Sequence, residues 1–472
     1  MLDNDSRRAA FKWYRRLKLN WVFTTSTFAG NFLLALTFTW LFSGLGHGEE
    51  VNFVFFITIL SIGLWVTEAI PPFAVGIFII AMLSLGFGTE YILDESGPID
   101  RYLGAWTSNV IWLLLGGFFL AKGMSVVNLD RALFRFTIKR FGNSPDRLLL
   151  GLMVTTALGS MVMSNTATTA MMVSSVVPLI LILGKESNYS KALLIGIPAA
   201  ASVGGIGTII GSTPNAIAVG ALQEVGINIT FVEWMVVGFP TGLILVYIFW
   251  RYLKNHFEIQ GMDIDLSSLK RDDSKTDLFK KRAVLFTLVA TIGLWLTEPL
   301  HGLPVAATSA TPMVLLTLTQ VITADHVRSL PWDTLMLVAG GLAMGIAIVD
   351  VGLANIIMLS IYQLPFPIFV LPAIFALIGV LVSNVMSNTA AAAILVPLAV
   401  ALPLPYGMAA PVIVAIACSC ALLLPVSTPS NAISFGTGLI EQKEFRAGGY
   451  FFIIAGPLAA IVSVLLWVIF YM

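Results

Sequence analysis

The sequence predicts an all-α polytopic membrane protein, with about 11 transmembrane helices and two re-entrant hairpins arranged as inverted repeats. Three observations predict this fold class. Of the 472 residues, 57% are hydrophobic and only 11% are charged, with a mean hydropathy of +0.91. Apolar runs long enough to cross a bilayer as helices recur along the chain. Four segments of the first half also return, in the same order, in the second half.

The apolar runs decide between helices and a β-barrel. Residues 52–69, 231–250 and 450–471 are continuous apolar stretches, whereas a barrel strand alternates over about 10 residues. The formal net charge is zero, which gives no reason to expect a nucleic-acid partner. The two cysteines lie in one apolar run and the four histidines are scattered, so neither a disulfide framework nor a metal site is expected. No nucleophile, metal or phosphate motif supports an enzyme.

The positions of the basic residues predict the topology. Of the 26 Lys and Arg residues, 25 fall in groups that can share one side of the membrane, which by the positive-inside rule is the cytoplasm. The groups lie at 7–18, 122–147, 185–191, 251–282, 328 and 443–446. Residues 1–50 are predicted to form a cytoplasmic arm and the first transmembrane helix, without a signal-peptide cleavage site. We therefore expect a multi-pass protein of the cytoplasmic membrane, with its N-terminus in the cytoplasm and its C-terminus outside.

The chain is internally doubled. The paired segments are GLWVTEAIP and GLWLTEPLH, WLLLGGFFLAKGM and LMLVAGGLAMGIA, MSNTATTA and MSNTAAAA, and GSTPNAIAVG and VSTPSNAISFG. They predict a first repeat at 51–255, a polar cytoplasmic linker at 256–280 and a second repeat at 281–472. Because the topology places an odd number of crossings between the copies, the second repeat is inverted. Inverted repeats with a site at the membrane midplane are typical of secondary transporters.

Each repeat contains two predicted interruptions of its helices. Hairpins are expected at 146–184 and 366–404, each with an SNT triplet at its tip. Broken helices are expected at 191–222 and 408–440, because Pro214 and Pro429 cannot donate a backbone hydrogen bond. Interrupted, polar backbone at membrane depth is tolerated only where it is buried in protein or lines a cavity.

The interrupted helices offer binding groups for both a cation and an anion. Unwound backbone exposes carbonyl oxygens, which bind small cations, and the helix N-termini that follow favour anions. An Asn side chain offers both a carbonyl oxygen and an amide donor. No Lys or Arg lies near either triplet in the sequence. The sequence therefore predicts a carrier in which a cation and an anion make the site favourable for each other.

Two other interpretations compete with this one. A lone Ser or Thr in a membrane helix usually mediates close packing, but packing does not explain a duplicated SNT triplet paired with a duplicated STP loop. An ion channel would show transport that does not saturate and no counterflow, and channels seldom need two inverted half-sites.

The SNT triplets, GLWVTEAIP and the loops GSTPNAI and STPSNAI resemble the divalent anion:sodium symporter (DASS) family of di- and tricarboxylate transporters. The resemblance covers nearly the whole chain from about residue 50. It implies a homodimer in the lipid bilayer that works by an elevator mechanism. It also implies sodium symport of C4-type dicarboxylates such as succinate, malate and fumarate. The family also contains sodium-independent exchangers of dicarboxylates such as 2-oxoglutarate, malate and succinate, and the sequence does not separate the two modes.

The resemblance also implies site residues. One Na⁺ site would use Ser160, Asn165 and the carbonyl of Gly211, and its mirror site would use Ser383, Asn388 and carbonyls near Met386 and Ser427. The substrate carboxylates would meet residues from both repeats: Ser164, Asn165, Thr166, Ser212, Ser387, Asn388, Thr389, Thr428 and Pro429. The second loop, STPSNA, is one residue longer than the first, STPNA.

Overall fold

The computed structural model describes residues 20–89, 100–129, 144–259, 277–363, 370–404, 406–425 and 427–471, together with the isolated positions 132, 136, 137, 140, 141 and 367. Over these residues the chain is helical and contains no strand. The basic arm at 7–18, the acidic loop before residue 100 and most of the 256–280 linker lie outside the described residues.

The first half of the chain contributes ten of the helices described. They are α1 (Asn20–Ser43), α2 (Glu49–Thr67), α3 (Pro72–Gly88), α4 (Asp100–Leu103), α5 (Asn109–Val126), α6 (Pro145–Ser160), α7 (Asn165–Leu183), α8 (Asn188–Gly204), α9 (Thr213–Glu224) and α10 (Phe231–His256). A 3₁₀ turn precedes α5 at Gly104–Thr107, and another extends α8 at Gly205–Gly207.

The described residues of the second half form twelve further helices. They are α11 (Leu278–Leu296), α12 (Glu298–His301), α13 (Val305–Thr308), α14 (Ala310–Leu318), α15 (Ala324–Arg328), α16 (Trp332–Asp350), α17 (Leu353–Tyr362), α18 (Leu371–Ser383), α19 (Asn388–Val400), α20 (Tyr406–Cys418), α21 (Pro429–Gly436) and α22 (Gln442–Tyr471).

The helices begin where local chemistry favours it. Pro72 and Pro145 occupy the first position of α3 and α6, where the missing N–H costs nothing. Thr230 and Glu233 form a capping box at the start of α10, and each side chain accepts the other's backbone N–H.

Eight helices among the described residues are long and apolar enough to cross a membrane, and five shorter apolar helices accompany them. The all-helical membrane architecture is therefore confirmed. The number of crossings, the inverted orientation of the repeats and the elevator mechanism stay predictions.

Close glycine contacts hold together the helices that we call the scaffold, namely α3, α5, α14 and α16. A Cβ on Gly340 of α16 would lie 2.2 Å from the Cα of Gly76 on α3. At the matching position of the first half, a Cβ on Gly116 of α5 would lie 2.7 Å from the carbonyl oxygen of Ser309. Small residues let backbones approach closely inside a membrane, so at both places a helix of the first half packs closely against the second half.

Around the broken helices, helices of one half pack against helices of the other half. Helix α9, the second part of the first broken helix, packs against α19 and α20 of the second half. Helix α21, its counterpart, packs against α7 and α8 of the first half. Each half therefore contributes one helix that packs within the other half.

Candidate functional site

The two SNT triplets lie at the turns of two helix pairs. Residues 161–164 join α6 to α7, and residues 384–387 join α18 to α19. The Ser164 hydroxyl accepts the N–H of Ala167 at 3.2 Å, and Ser387 accepts the N–H of Ala390 at the same distance. Each serine thus caps its helix, and its O–H can still donate to a ligand.

Both triplets face one cavity of about 520 Å³. Four helices begin at its wall, because Asn165, Thr213, Asn388 and Pro429 are the first residues of α7, α9, α19 and α21 and all line it. Each N-terminus carries a partial positive charge of about half a unit. Together, the four helix N-termini favour the binding of an anion in the cavity.

Side-chain charge contributes little to that attraction. Among the described residues lining the cavity there is no Lys, Arg or His, and the one charged side chain is the acidic Asp333 at the start of α16. Hydroxyls, amides and helix N-termini must hold an anion here, together with any cation that accompanies it.

An oxygen-rich cluster surrounds the Asn165 amide. The same terminal atom of this amide lies 2.6 Å from Ser160 Oγ, 3.0 Å from the Ala201 carbonyl oxygen and 3.1 Å from the Gly211 carbonyl oxygen. With the nitrogen at this position, the amide donates to these acceptors. With the oxygen at this position, the oxygens of Asn165, Ser160, Ala201 and Gly211 lie close together. Small hard cations bind oxygen ligands of this kind. The donor set therefore fits Na⁺ as a transported ion.

The second half builds a related cluster. The Ser383 hydroxyl lies 2.8 Å from Asn388 Oδ1 and 2.9 Å from the Cys418 carbonyl oxygen. The Ser427 hydroxyl lies 3.0 Å from the Asn384 carbonyl oxygen, which ties the second loop to the second tip. Met386 is buried in the same turn. Ser383 and Asn388 thus lie together as expected for the mirror site, and the carbonyl oxygens near Met386 and Ser427 stay predicted ligands.

Two further asparagines hold the unwound loops. The amide of Asn215 donates to the carbonyls of Gly205 at 3.0 Å and Thr208 at 2.8 Å. In the second half, Asn431 donates to the carbonyls of Leu422 at 3.2 Å and Leu424 at 3.0 Å. Both asparagines are buried. They satisfy carbonyls that the broken helices release, which explains their place in the repeated STP motif.

All nine residues expected to meet the substrate line the 520 Å³ cavity. Gly211 lines it as well, whereas Ser160 and Ser383 lie behind it and reach it through Asn165 and Asn388. Sequence reasoning missed Ser202, Asp333 and Thr334 on the cavity wall. It also missed the carbonyl of Ala201 near Asn165 and the carbonyl of Cys418 near Ser383. The sequence carried no signal for Asp333, because an acid in the first turn of a helix is common.

A second, smaller cavity of about 180 Å³ lies elsewhere, at the start of α5. Asn109, Gln223, Thr230 and Glu298 are among its lining residues. Glu298 Oε2 is buried and has no hydrogen-bond partner among the described residues. Burial raises the pKa of the Glu298 carboxyl above its usual value.

Duplicated breaks of membrane helices that meet at one cavity are typical of secondary transporters. Residues 62–419 match the family model described as CitMHS, citrate transporter. The chain belongs to this transporter family, and the resemblance to the divalent anion:sodium symporters is confirmed.

Individual relatives agree with this assignment. The chain is 30% identical over 463 residues to the sodium-dependent dicarboxylate transporter SdcS of Staphylococcus saprophyticus, covering 89% of this chain and 86% of the relative. It is also 30% identical over 440 residues to SdcS of Staphylococcus aureus strain USA300, covering 84% of this chain and 82% of the relative. The relatives are transporters, and with the apolar helices they indicate a multi-pass protein of the plasma membrane.

Solved structures support the fold. The YdaH transporter of Alcanivorax borkumensis superposes with a TM-score of 0.55 at 12% identity, covering 84% of this chain and 98% of the other. MtrF of Neisseria gonorrhoeae superposes with a TM-score of 0.55 at 14% identity, covering 84% of this chain and 94% of the other. At these identities the likeness concerns the architecture alone.

Proposed function

We propose that the protein is a sodium-coupled carrier of C4-type dicarboxylates such as succinate, malate and fumarate. The observation that carries the proposal is the single cavity onto which both SNT tips and both STP loops open. A dicarboxylate has one charged group for each tip. The relatives named sodium-dependent dicarboxylate transporters support the same substrate class.

Sodium enters the proposal through charge balance. A dianion in this cavity meets no basic side chain among the described lining residues, and an uncompensated charge away from water is costly. Na⁺ bound at the oxygen clusters around Asn165 and Asn388 would offset it. Because each amide can bind a cation through its oxygen and a carboxylate through its N–H, substrate and sodium would strengthen each other's binding, typically by about 1–3 kcal/mol.

The transport cycle follows from this arrangement. The tips, loops and helices around the cavity would move as one body against the scaffold, in an elevator mechanism, and two copies of the chain would form a homodimer. We also propose a cytoplasmic N-terminus and an extracellular C-terminus, in line with the distribution of basic residues in the sequence.

Uptake into proteoliposomes tests the proposal. Labelled succinate should accumulate under an inward sodium gradient and fail to accumulate when potassium replaces sodium. Uptake should saturate and show counterflow. Uptake that ignores sodium but requires internal dicarboxylate would replace symport by exchange. Transport without saturation or counterflow would instead indicate a channel.

A further inference from the structure

One acidic side chain faces the cavity from the scaffold. Asp333 lies in the first turn of α16 and lines the 520 Å³ cavity beside Pro331 and Thr334. The remaining scaffold contribution to this wall comes from Leu114 and Phe118, which are apolar. A ligand group that is not held by the SNT tips or the STP loops therefore meets a wall whose polar groups are one carboxylate and one hydroxyl.

Asp333 is exposed, and its carboxylate forms no ion pair within the part of the chain that the structure describes. The nearest basic residue in the sequence, Arg328, pairs with Asp325 instead. The negative charge of Asp333 therefore acts on whatever occupies the cavity.

The repeated position in the first half carries no charge. Asp333 lies seven residues before Gly340, and Asn109 lies seven residues before Gly116. Asn109 is likewise in the first turn of its helix, α5, but it lines the separate 180 Å³ cavity. An acid in the first turn favours a helix, yet α5 forms without one. Of these two repeat-related positions, the one that lines the cavity shared by the SNT tips is the one that carries an acid.

We propose that Asp333 limits the charge of the substrate, admitting dicarboxylates and rejecting anions that carry a third ionised carboxylate, such as fully ionised citrate. This inference rests on the proposed function. Two carboxylates can be held at the two tips, away from the scaffold wall. A third carboxylate must lie toward that wall, where it meets the exposed carboxylate of Asp333 and is repelled by its like charge.

The experiment compares succinate and citrate on matched variants in proteoliposomes under a sodium gradient. The variants are wild type, Asp333→Asn, Asp333→Glu and Asn109→Asp. The readout is the concentration of citrate that halves succinate uptake, divided by the KM for succinate, at a slightly alkaline pH where citrate carries three charges. Asp333→Asn should lower this ratio by about fivefold, the effect expected for two like charges about 4 Å apart in contact with water. Asp333→Glu should keep the wild-type ratio, and so should Asn109→Asp, which adds its charge to the other cavity.

A second measurement covers a variant that no longer transports. Purified Asp333→Asn should be stabilised against heat by citrate in the presence of sodium, whereas wild type should respond to succinate alone. A ratio for Asp333→Asn equal to that of wild type, with citrate giving no added thermal stabilisation, would overturn the inference and leave the proposed function intact. Wild type that fails to take up succinate at all would overturn the proposed function first.

Discussion

The hydroxyls of Ser212 and Ser419 lie 2.9 Å apart and join the two halves of the site. Ser212 lines the cavity from the first loop. Ser419 follows Cys418, whose carbonyl accepts the Ser383 hydroxyl, and that hydroxyl in turn contacts Asn388. Hydrogen bonds on either side of the Cys418–Ser419 peptide thus connect one loop to the opposite tip.

The first prediction concerns this link. Ser419→Ala should raise the KM for succinate by about twofold to tenfold, because one net hydrogen bond contributes about 0.5–1.5 kcal/mol. The effect should be larger at low sodium, where the two half-sites depend most on each other. Uptake kinetics at several sodium concentrations provide the measurement. A KM that stays at the wild-type value throughout would show that the contact does not couple the halves.

The second prediction concerns the two tip asparagines. Asn165→Ala and Asn388→Ala should each reduce sodium-driven succinate uptake by about tenfold or more, because each removes hydrogen bonds to charged ligands. Asn355→Ala, on the exposed face of α17, is the control and should transport normally. Melting curves of the purified proteins check that the variants remain folded. Normal uptake by either tip variant would refute the assignment of the site.

The third prediction concerns the glycine contact of the scaffold. Gly340→Ala should destabilise the protein by about 1–3 kcal/mol, because its new methyl group would meet the backbone of Gly76 and overpack the interface. Gly345→Ala, one turn further along the same helix, meets its nearest atoms at 3.8 Å and should be tolerated. Apparent melting temperatures of the two variants in detergent give the comparison. Equal melting temperatures would argue against close packing of α3 on α16.

The fourth prediction concerns pH. Because burial raises the pKa of Glu298 above its unfolded value, the ionised carboxylate opposes folding at neutral pH, and protonation relieves this as the pH falls through the raised pKa. Glu298→Gln should therefore melt at a higher temperature than wild type at neutral pH. The difference should shrink as the pH is lowered toward the ordinary value of a glutamate, about 4.3.

The counterpart in the first repeat controls for the Glu298 experiment. Glu68, in the matching GLWVTE segment, is exposed, so Glu68→Gln should change the melting temperature little at any of these pH values. A Glu298→Gln difference that is independent of pH would mean that the carboxylate charge is not the cause.

Composition and repetition were enough to predict the membrane fold, since apolar helices are the main way to bury backbone in lipid. The SNT and STP segments predicted the cavity because polar groups at membrane depth are tolerated only where they are buried in protein or line a cavity. Asp333 gave no such signal, since an acid in the first turn of a helix is ordinary. Ser419 was also missed, because its partner Ser212 lies in the other half of the chain and no local pattern reports contacts of that range.

The exchange of α9 and α21 between the halves has a consequence for how the protein is made. While the first half is being synthesised, α9 lacks the helices α19 and α20 against which it packs, although Asn215 of the same half already holds its loop. The cavity exists only after the ribosome has passed residue 436. The binding site can therefore be completed only after both repeats have entered the membrane.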